Sequence, residues 1–235
     1  WRSIDGSAVT QNNYGKGKVI FGKDVKTVLE EMKVKPDFEF TSAEQNTALD
    51  YIHRTGEGMD IYFVVNRFGR KGINDFAYRY LATLPDRYEQ VECKFRVTGM
   101  VPELWDPMTG ETKQVLTYRE ENGQTIIPLS FEPEGSRFII FRKANASPHI
   151  VQIEKDGKLF FPNNEFKEID KPSIEIFEDK GKMITTIFEP GNYTATWQDG
   201  KTTKFNLAAS NTTLPLSGKW EIDFDTSWGG QANID

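Results

Sequence analysis

The side chains that could do chemistry in this chain are scattered carboxylates, two histidines, one cysteine and a set of aromatic rings. Acid–base work needs carboxylates brought face to face in a shielded place. Glu92, Asp106, Glu111, Glu120, Glu132 and Glu134 all fall on the polar side of an alternating strand or in a turn. That pattern gives them the role of solubilising charge, and no catalytic residue is assigned. With only His53, His149 and Cys93, the chain has no HxH, HExxH or CxxC spacing, so no metal centre is assigned from them. His53 follows the strand pattern beside Arg54 and reads as a structural histidine. A nucleophilic triad lacks a nucleophile elbow, and Gly15-x-Gly17 is too short for a dinucleotide fingerprint.

Asp223-x-Asp225-x-Ser227-x-Gly229 has the alternating oxygen donors that open a calcium loop. Trp228 stands where such a loop requires glycine, and the bidentate acid that should close it is missing. Asp223 and Asp225 are therefore only a weak calcium candidate, and no cofactor is assigned to the chain itself. Aromatic rings offer a further chemistry. A flat ring laid on a pyranose buries its C–H face, while nearby amides and carboxylates bond the hydroxyls. The candidates are Trp105 beside the Asp106-Pro107 turn, Tyr118, Trp197 before the Asp199-Gly200 turn, and Trp228. Trp220 alternates with Ile222 and Phe224 and reads as core.

Strands must position these groups. Val91, Cys93, Phe95 and Val97 alternate with Glu92, Lys94, Arg96 and Thr98, the two-residue period of a strand with one buried and one wet face. Thr125, Ile127, Leu129 and Phe131 repeat it. Turn signals separate the runs: Gly56-Glu57-Gly58, Asp106-Pro107-Met108-Thr109-Gly110, Asn122-Gly123 and Glu134-Gly135. Further on, turns at Asp156-Gly157, Lys180-Gly181 and Asp199-Gly200 recur about every ten residues, the mark of a sandwich. The spacing of Val25, Val28, Leu29 and Met32 predicts a short helix, capped by Asp24 and stopped before Pro36. Residues 70–87 read as an inserted amphipathic helix or an irregular excursion, with Ile73, Phe76, Ala77, Tyr80, Leu81 and Leu84 at helical spacing.

The fold class is thus mainly β: antiparallel β-sandwich domains with a short α/β remnant at the N-terminus. The remnant occupies 1–40, where the strand Val19-Ile20-Phe21 leads into the helix with no upstream partner strand. A β-sandwich follows over 41–143, a linker over 144–149, and a second small sandwich-like unit over 150–212. Residues 213–235 read as the first strand of a truncated jelly roll.

Composition narrows the partners. A net charge of −6 with acids and bases interspersed supplies no basic patch, which argues against nucleic acid and anionic membranes. Neutral sugars need no charge complementarity. No apolar run approaches the ~20 residues of a membrane span, and a single cysteine excludes an internal disulfide framework. Starting at Trp1, without a signal peptide, the chain reads as a piece of a longer protein.

The phrases YIHRTGEGMDIYFVVNR, FRVTGMVPELWDPMTGE and IPLSFEPEGSRFIIFR, in that order, resemble the β-sandwich that follows the catalytic domain in glycoside hydrolases of family 106, the α-L-rhamnosidase-like proteins. The resemblance spans roughly residues 15–143, and GKGKVIFG matches the phrase at that family's domain junction. After Arg67 the chain departs from the family pattern, which passes to the next strand through a short turn. LSGKWEIDFDTSWGG (216–230) resembles the opening strand of the sugar-binding jelly roll carried by many large glycoside hydrolases.

The resemblance implies a bacterial, polysaccharide-degrading parent, periplasmic or secreted, that acts on plant-type polysaccharide through two flanking carboxylates. Nothing here matches that family's catalytic motifs. The expected partners are the catalytic domain of the same parent chain and carbohydrate, with calcium left to the parent. Two alternatives stand beside the accessory fragment: an autonomous carbohydrate-binding module, and a structural cell-surface β-sandwich.

Overall fold

The computed structural model describes residues 9–42, 47–66, 88–144, 148–162, 174–209 and 217–219. The helix or irregular excursion expected over 70–87, the strand expected over 216–230 apart from 217–219, Trp220, Trp228, Asp223 and Asp225 lie outside the described residues.

The chain opens on a hairpin of β1 (Gln11–Tyr14) and β2 (Gly17–Ile20), paired antiparallel from Gln11 opposite Ile20 to Tyr14 opposite Gly17. This corrects the expectation that the 19–21 strand has no upstream partner. Gln11, Asn12 and Asn13 carry no apolar alternation, but a hairpin ladder is made by backbone groups, and Gly15 at φ 59° supplies the turn. The helix α1 (Val25–Glu31) forms where its spacing predicts, and the Asp24 side chain accepts from the Thr27 amide.

Three sheets carry the rest. The first orders β3 (Phe38–Thr41), β6 (Glu89–Phe95), β10 (Gln124–Phe131) and β9 (Arg119–Glu121). Thr125 pairs with Phe95, Ile127 with Cys93 and Leu129 with Val91. Directly opposite residues share a face, so the two alternating runs line one core, where none of these six is more than 6% exposed. Burial raises the Cys93 thiol pKa, as expected of a core cysteine.

Facing this sheet is a seven-stranded one that starts from β4 (Leu49–Gly56), β5 (Met59–Asn66) and β11 (Ser136–Arg142). It continues through β7 (Val101–Trp105), β8 (Thr112–Val115), β14 (Ile174–Asp179) and β15 (Lys182–Ile187). The third sheet orders β13 (Lys158–Phe161), β12 (Ile150–Lys155), β16 (Gly191–Trp197) and β17 (Thr202–Leu207). Asn122-Gly123, Asp156-Gly157 and Lys180-Gly181 close three of the hairpins with positive φ at both turn residues, the backbone that matches strand twist.

Two hydrophobic clusters result. One gathers Tyr62, Val91, Phe95, Phe131 and Phe141 between the first two sheets. The other gathers Leu116, Ile150, Ile153, Phe161, Ile176 and Tyr193 around the third. The seven-stranded sheet serves both, because β14 joins β8 through Phe177 opposite Val115 and Glu178 opposite Gln114. Val115 belongs to the first cluster and its neighbour Leu116 to the second.

That shared wall explains a second correction. Glu92, expected on a wet face, is 2% exposed. Arg119 reaches it at 3.3 Å and lies with its guanidinium 5.6 Å from the Phe161 ring. Phe161, from the third sheet, thus closes over Arg119, and the Glu92 charge is taken in with its partner.

Candidate functional site

A cleft of about 110 Å³ opens where the two clusters adjoin, between the ends of β7 and β8, the outer face of β10, and β13 and β14. Its polar groups come from elements that are themselves fixed. Asp106 sits at the head of the proline turn. One carboxylate oxygen accepts from the Met108 and Thr109 amides at 2.8 and 3.1 Å, and the other from Arg137 Nη1 at 3.3 Å. Burial pushes the Asp106 carboxyl up, but those amides with Arg137 and Lys113 outweigh it and hold the pKa below the usual carboxylate value. Arg137 Nη1 also donates to the Ser136 carbonyl at 3.1 Å. Lys113 pairs with Glu111 at 3.0 Å and lies 5.6 Å over the Phe177 ring.

Glu175, on β14, lines the same cleft, and its carboxyl has no hydrogen bond or ion pair among the described residues. Burial raises its pKa, Arg137 and Lys113 lower it, Glu132 raises it, and the net direction is up. Thr117 is 6% exposed, and its Oγ1 has no hydrogen-bond partner among the described residues. Its backbone is held rigidly by an isolated bridge to Ile150. On either side, the Leu116 amide donates to Ile176 and the Tyr118 amide to Ile150, at 3.3 and 3.1 Å. Phe160, Phe161 and Phe177 supply aromatic surface to the cleft.

Chemically the cleft holds an ionised carboxylate, Asp106, and an acid displaced towards its neutral form, Glu175. Both oxygens of Asp106 are engaged by donors, Oδ1 by two amides and Oδ2 by Arg137, so its charge is already shared with the chain. What remains for a ligand is the Glu175 carboxyl and ring faces, with the Thr117 hydroxyl added only when its side chain turns, since its oxygen is closed to solvent as it stands. Among the described residues no group of three or more His, Cys, Asp or Glu side chains could hold a metal ion. No helix among them is long and apolar enough to cross a membrane.

Of the aromatics expected to stack on sugar, Trp105, Tyr118 and Trp197 do not line this cleft, and Trp228 lies outside the described residues. Trp105 is half-buried at the end of β7, its indole N–H donates to Glu103 at 2.9 Å, and Arg142 lies 5.5 Å over its ring. Trp197 is half-buried on β16, donates to Thr203 Oγ1 at 2.8 Å and packs on the second cluster. Tyr118 lies in the core, 4% exposed, its ring stacked 3.9 Å from that of His149. Burial, then Glu120, pushes its hydroxyl pKa up to about 12. It has no open face for a sugar.

Neither Thr117 nor Glu175 stands out in the sequence. The one signal is a single acid in the apolar run Ile174-Glu175-Ile176-Phe177.

Comparison with known proteins gives the family. The family profile described as alpha-L-rhamnosidase, glycoside hydrolase family 106, matches residues 1–120. A protein from Formosa agariphila named "Putative beta-glucuronidase" is 27% identical over 135 residues, 56% of this chain and 10% of that protein. The solved rhamnosidase from Novosphingobium sp. PP1Y is 29% identical, with a TM-score of 0.48 over 62% of this chain and 14% of that one. The chain therefore spans only a small part of the length of either relative. With just over half of its residues inside the family match, the chain belongs to glycoside hydrolase family 106, the alpha-L-rhamnosidases.

Proposed function

We propose that this chain is an accessory, non-catalytic β-sandwich region of a bacterial α-L-rhamnosidase that degrades plant-type polysaccharide in the periplasm or outside the cell. Its role is to dock on the catalytic domain of the same longer protein and hold it in shape. The observation that carries this is the apolar side of α1. Val25, Leu29 and Met32 stand at i, i+4 and i+7, yet they are 73%, 41% and 62% exposed, and α1 buries no residue at all. A seven-residue helix is not stable in water by propensity alone and draws its stability from packing an apolar face. Phe21 and Tyr14, from the hairpin before it, are 56% and 78% exposed. A neighbouring domain would cover such a surface, which this chain's own cores leave open.

The test is hydrolysis of 4-nitrophenyl α-L-rhamnopyranoside by the 235-residue chain. No turnover above the uncatalysed rate is expected, and any turnover would overturn the reading. In the longer protein, Val25→Ser with Leu29→Gln and Met32→Gln should bring heat inactivation to a lower temperature. The same changes should leave the melting of this chain alone within about 0.5 kcal/mol, as exposed positions do.

A second reading, an autonomous carbohydrate-binding module, is favoured by half-buried Trp105 and Trp197 beside turns. It expects glycan to perturb tryptophan fluorescence, with loss of the signal in Trp105→Ala or Trp197→Ala.

A further inference from the structure

The cleft between the two hydrophobic clusters contains charges of both signs, but they are already engaged with one another. Arg137 is held by Asp106 and by the Ser136 carbonyl, and Lys113 by Glu111 and the face of Phe177. An anionic ligand would meet two paired cations and three carboxyl groups, and a cationic ligand would have to break one of those pairs. The groups with no partner are of another kind. Thr117 Oγ1 is a donor and acceptor whose oxygen is closed to solvent as it stands, so it meets a ligand only when the side chain turns its hydroxyl towards the cavity; a buried hydroxyl left unpaired costs about 1–3 kcal/mol, which favours that turn once a partner is there. Glu175 can accept when ionised and donate when protonated. Phe160 is half-buried, packs on the second cluster and, unlike Phe161 under Arg119 and Phe177 under Lys113, has no cation over its ring among the described residues. The cavity volume of about 110 Å³ is several times what one water needs.

We propose that this cleft is a binding subsite for an uncharged sugar residue of a glycan, with Thr117 and Glu175 bonding its hydroxyls and Phe160 lying against its C–H face. The choice of glycosides as ligand class rests on the glycoside-hydrolase reading above, but the site itself rests on the unpartnered groups. It differs from the tryptophan surfaces suggested by the sequence, because Trp105 and Trp197 lie outside it.

The experiment is ligand-observed NMR and calorimetric titration of the whole chain with methyl α-L-rhamnopyranoside, methyl β-D-galactopyranoside and sodium D-glucuronate. At least one neutral glycoside should bind more tightly than glucuronate. Thr117→Val, which keeps the shape and removes the hydroxyl, should weaken that binding about tenfold, the worth of one good hydrogen bond. Glu175→Leu and Phe160→Leu should each weaken it as well, with melting temperature recorded to show that every variant is folded. Tighter binding of glucuronate, binding unchanged in Thr117→Val and Glu175→Leu, or no binding of any probe would overturn the subsite. The accessory role stands or falls separately, on rhamnoside turnover.

Discussion

Two regions of this molecule enclose charged side chains to a similar depth and treat them in opposite ways. Around His53, on β4, every group has a partner. His53 Nδ1 lies 2.9 Å from Asp37 Oδ2 and Nε2 lies 2.9 Å from Asp60 Oδ1, with the ring stacked 4.0 Å from Tyr62. Asp37 Oδ1 also accepts from Arg96 Nη2 at 3.0 Å and from the Tyr62 hydroxyl at 3.3 Å. In the cleft, the ion pairs of Asp106 and Glu111 are complete, but Thr117 and Glu175 are left over. A satisfied buried network fixes one arrangement of the strands, whereas an unsatisfied one keeps hydrogen-bonding capacity in reserve. The first region reads as structure and the second as a place for a ligand.

Mutations should separate the two regions by size of effect. The largest belongs to the core beneath His53. Phe95 is fully buried, with ring centroids 4.9 Å from Tyr62 and 5.3 Å from Phe141. Phe95→Ala should cost about 3–5 kcal/mol in denaturant unfolding, the range for emptying a large aromatic site. His53→Ala comes next. It leaves Asp37 and Asp60 without their shared partner and should cost about 1–3 kcal/mol. A loss below the error of the measurement would show that this network is ornamental and would blur the contrast.

The cleft should behave differently. Thr117→Val removes a hydroxyl that bonds nothing, so stability should stay within about 1 kcal/mol or rise. The smallest effect is pH-dependent. Burial raises the Glu175 pKa in the folded chain, so its contribution to stability is present in acid and lost as the pH climbs through that raised value. Glu175→Gln, which cannot ionise, should therefore melt at a higher temperature than the parent at neutral pH. The gap should close below the ordinary glutamate range. A gap of the same size at all pH values would show that Glu175 is not titrating in the cleft.

These contrasts were unequally legible in the sequence. The alternation at 91–97 and 125–131 announces a shared core because its period is local, and Asn122-Gly123 and Asp156-Gly157 announce hairpins because their φ preferences are local too. Glu92 looked wet because nothing local reveals that Arg119 and Phe161 close over its face. The β8–β14 pairing joins residues some sixty positions apart and leaves no periodic trace. Thr117 and Glu175 acquire meaning only from that pairing, which gathers them at one cleft. The tryptophans were conspicuous by type, yet the indole N–H groups of Trp105 and Trp197 are bonded within the chain.

The most direct test is a crystal structure of this chain soaked with the neutral methyl glycoside that binds best in titration. The account predicts the sugar in the cleft, with a ring hydroxyl within hydrogen-bond distance of Thr117 Oγ1 and another at Glu175. A sugar seated on Trp197 or Trp105 with the cleft unchanged, or a side chain of this chain bonded to Thr117 Oγ1, would contradict it.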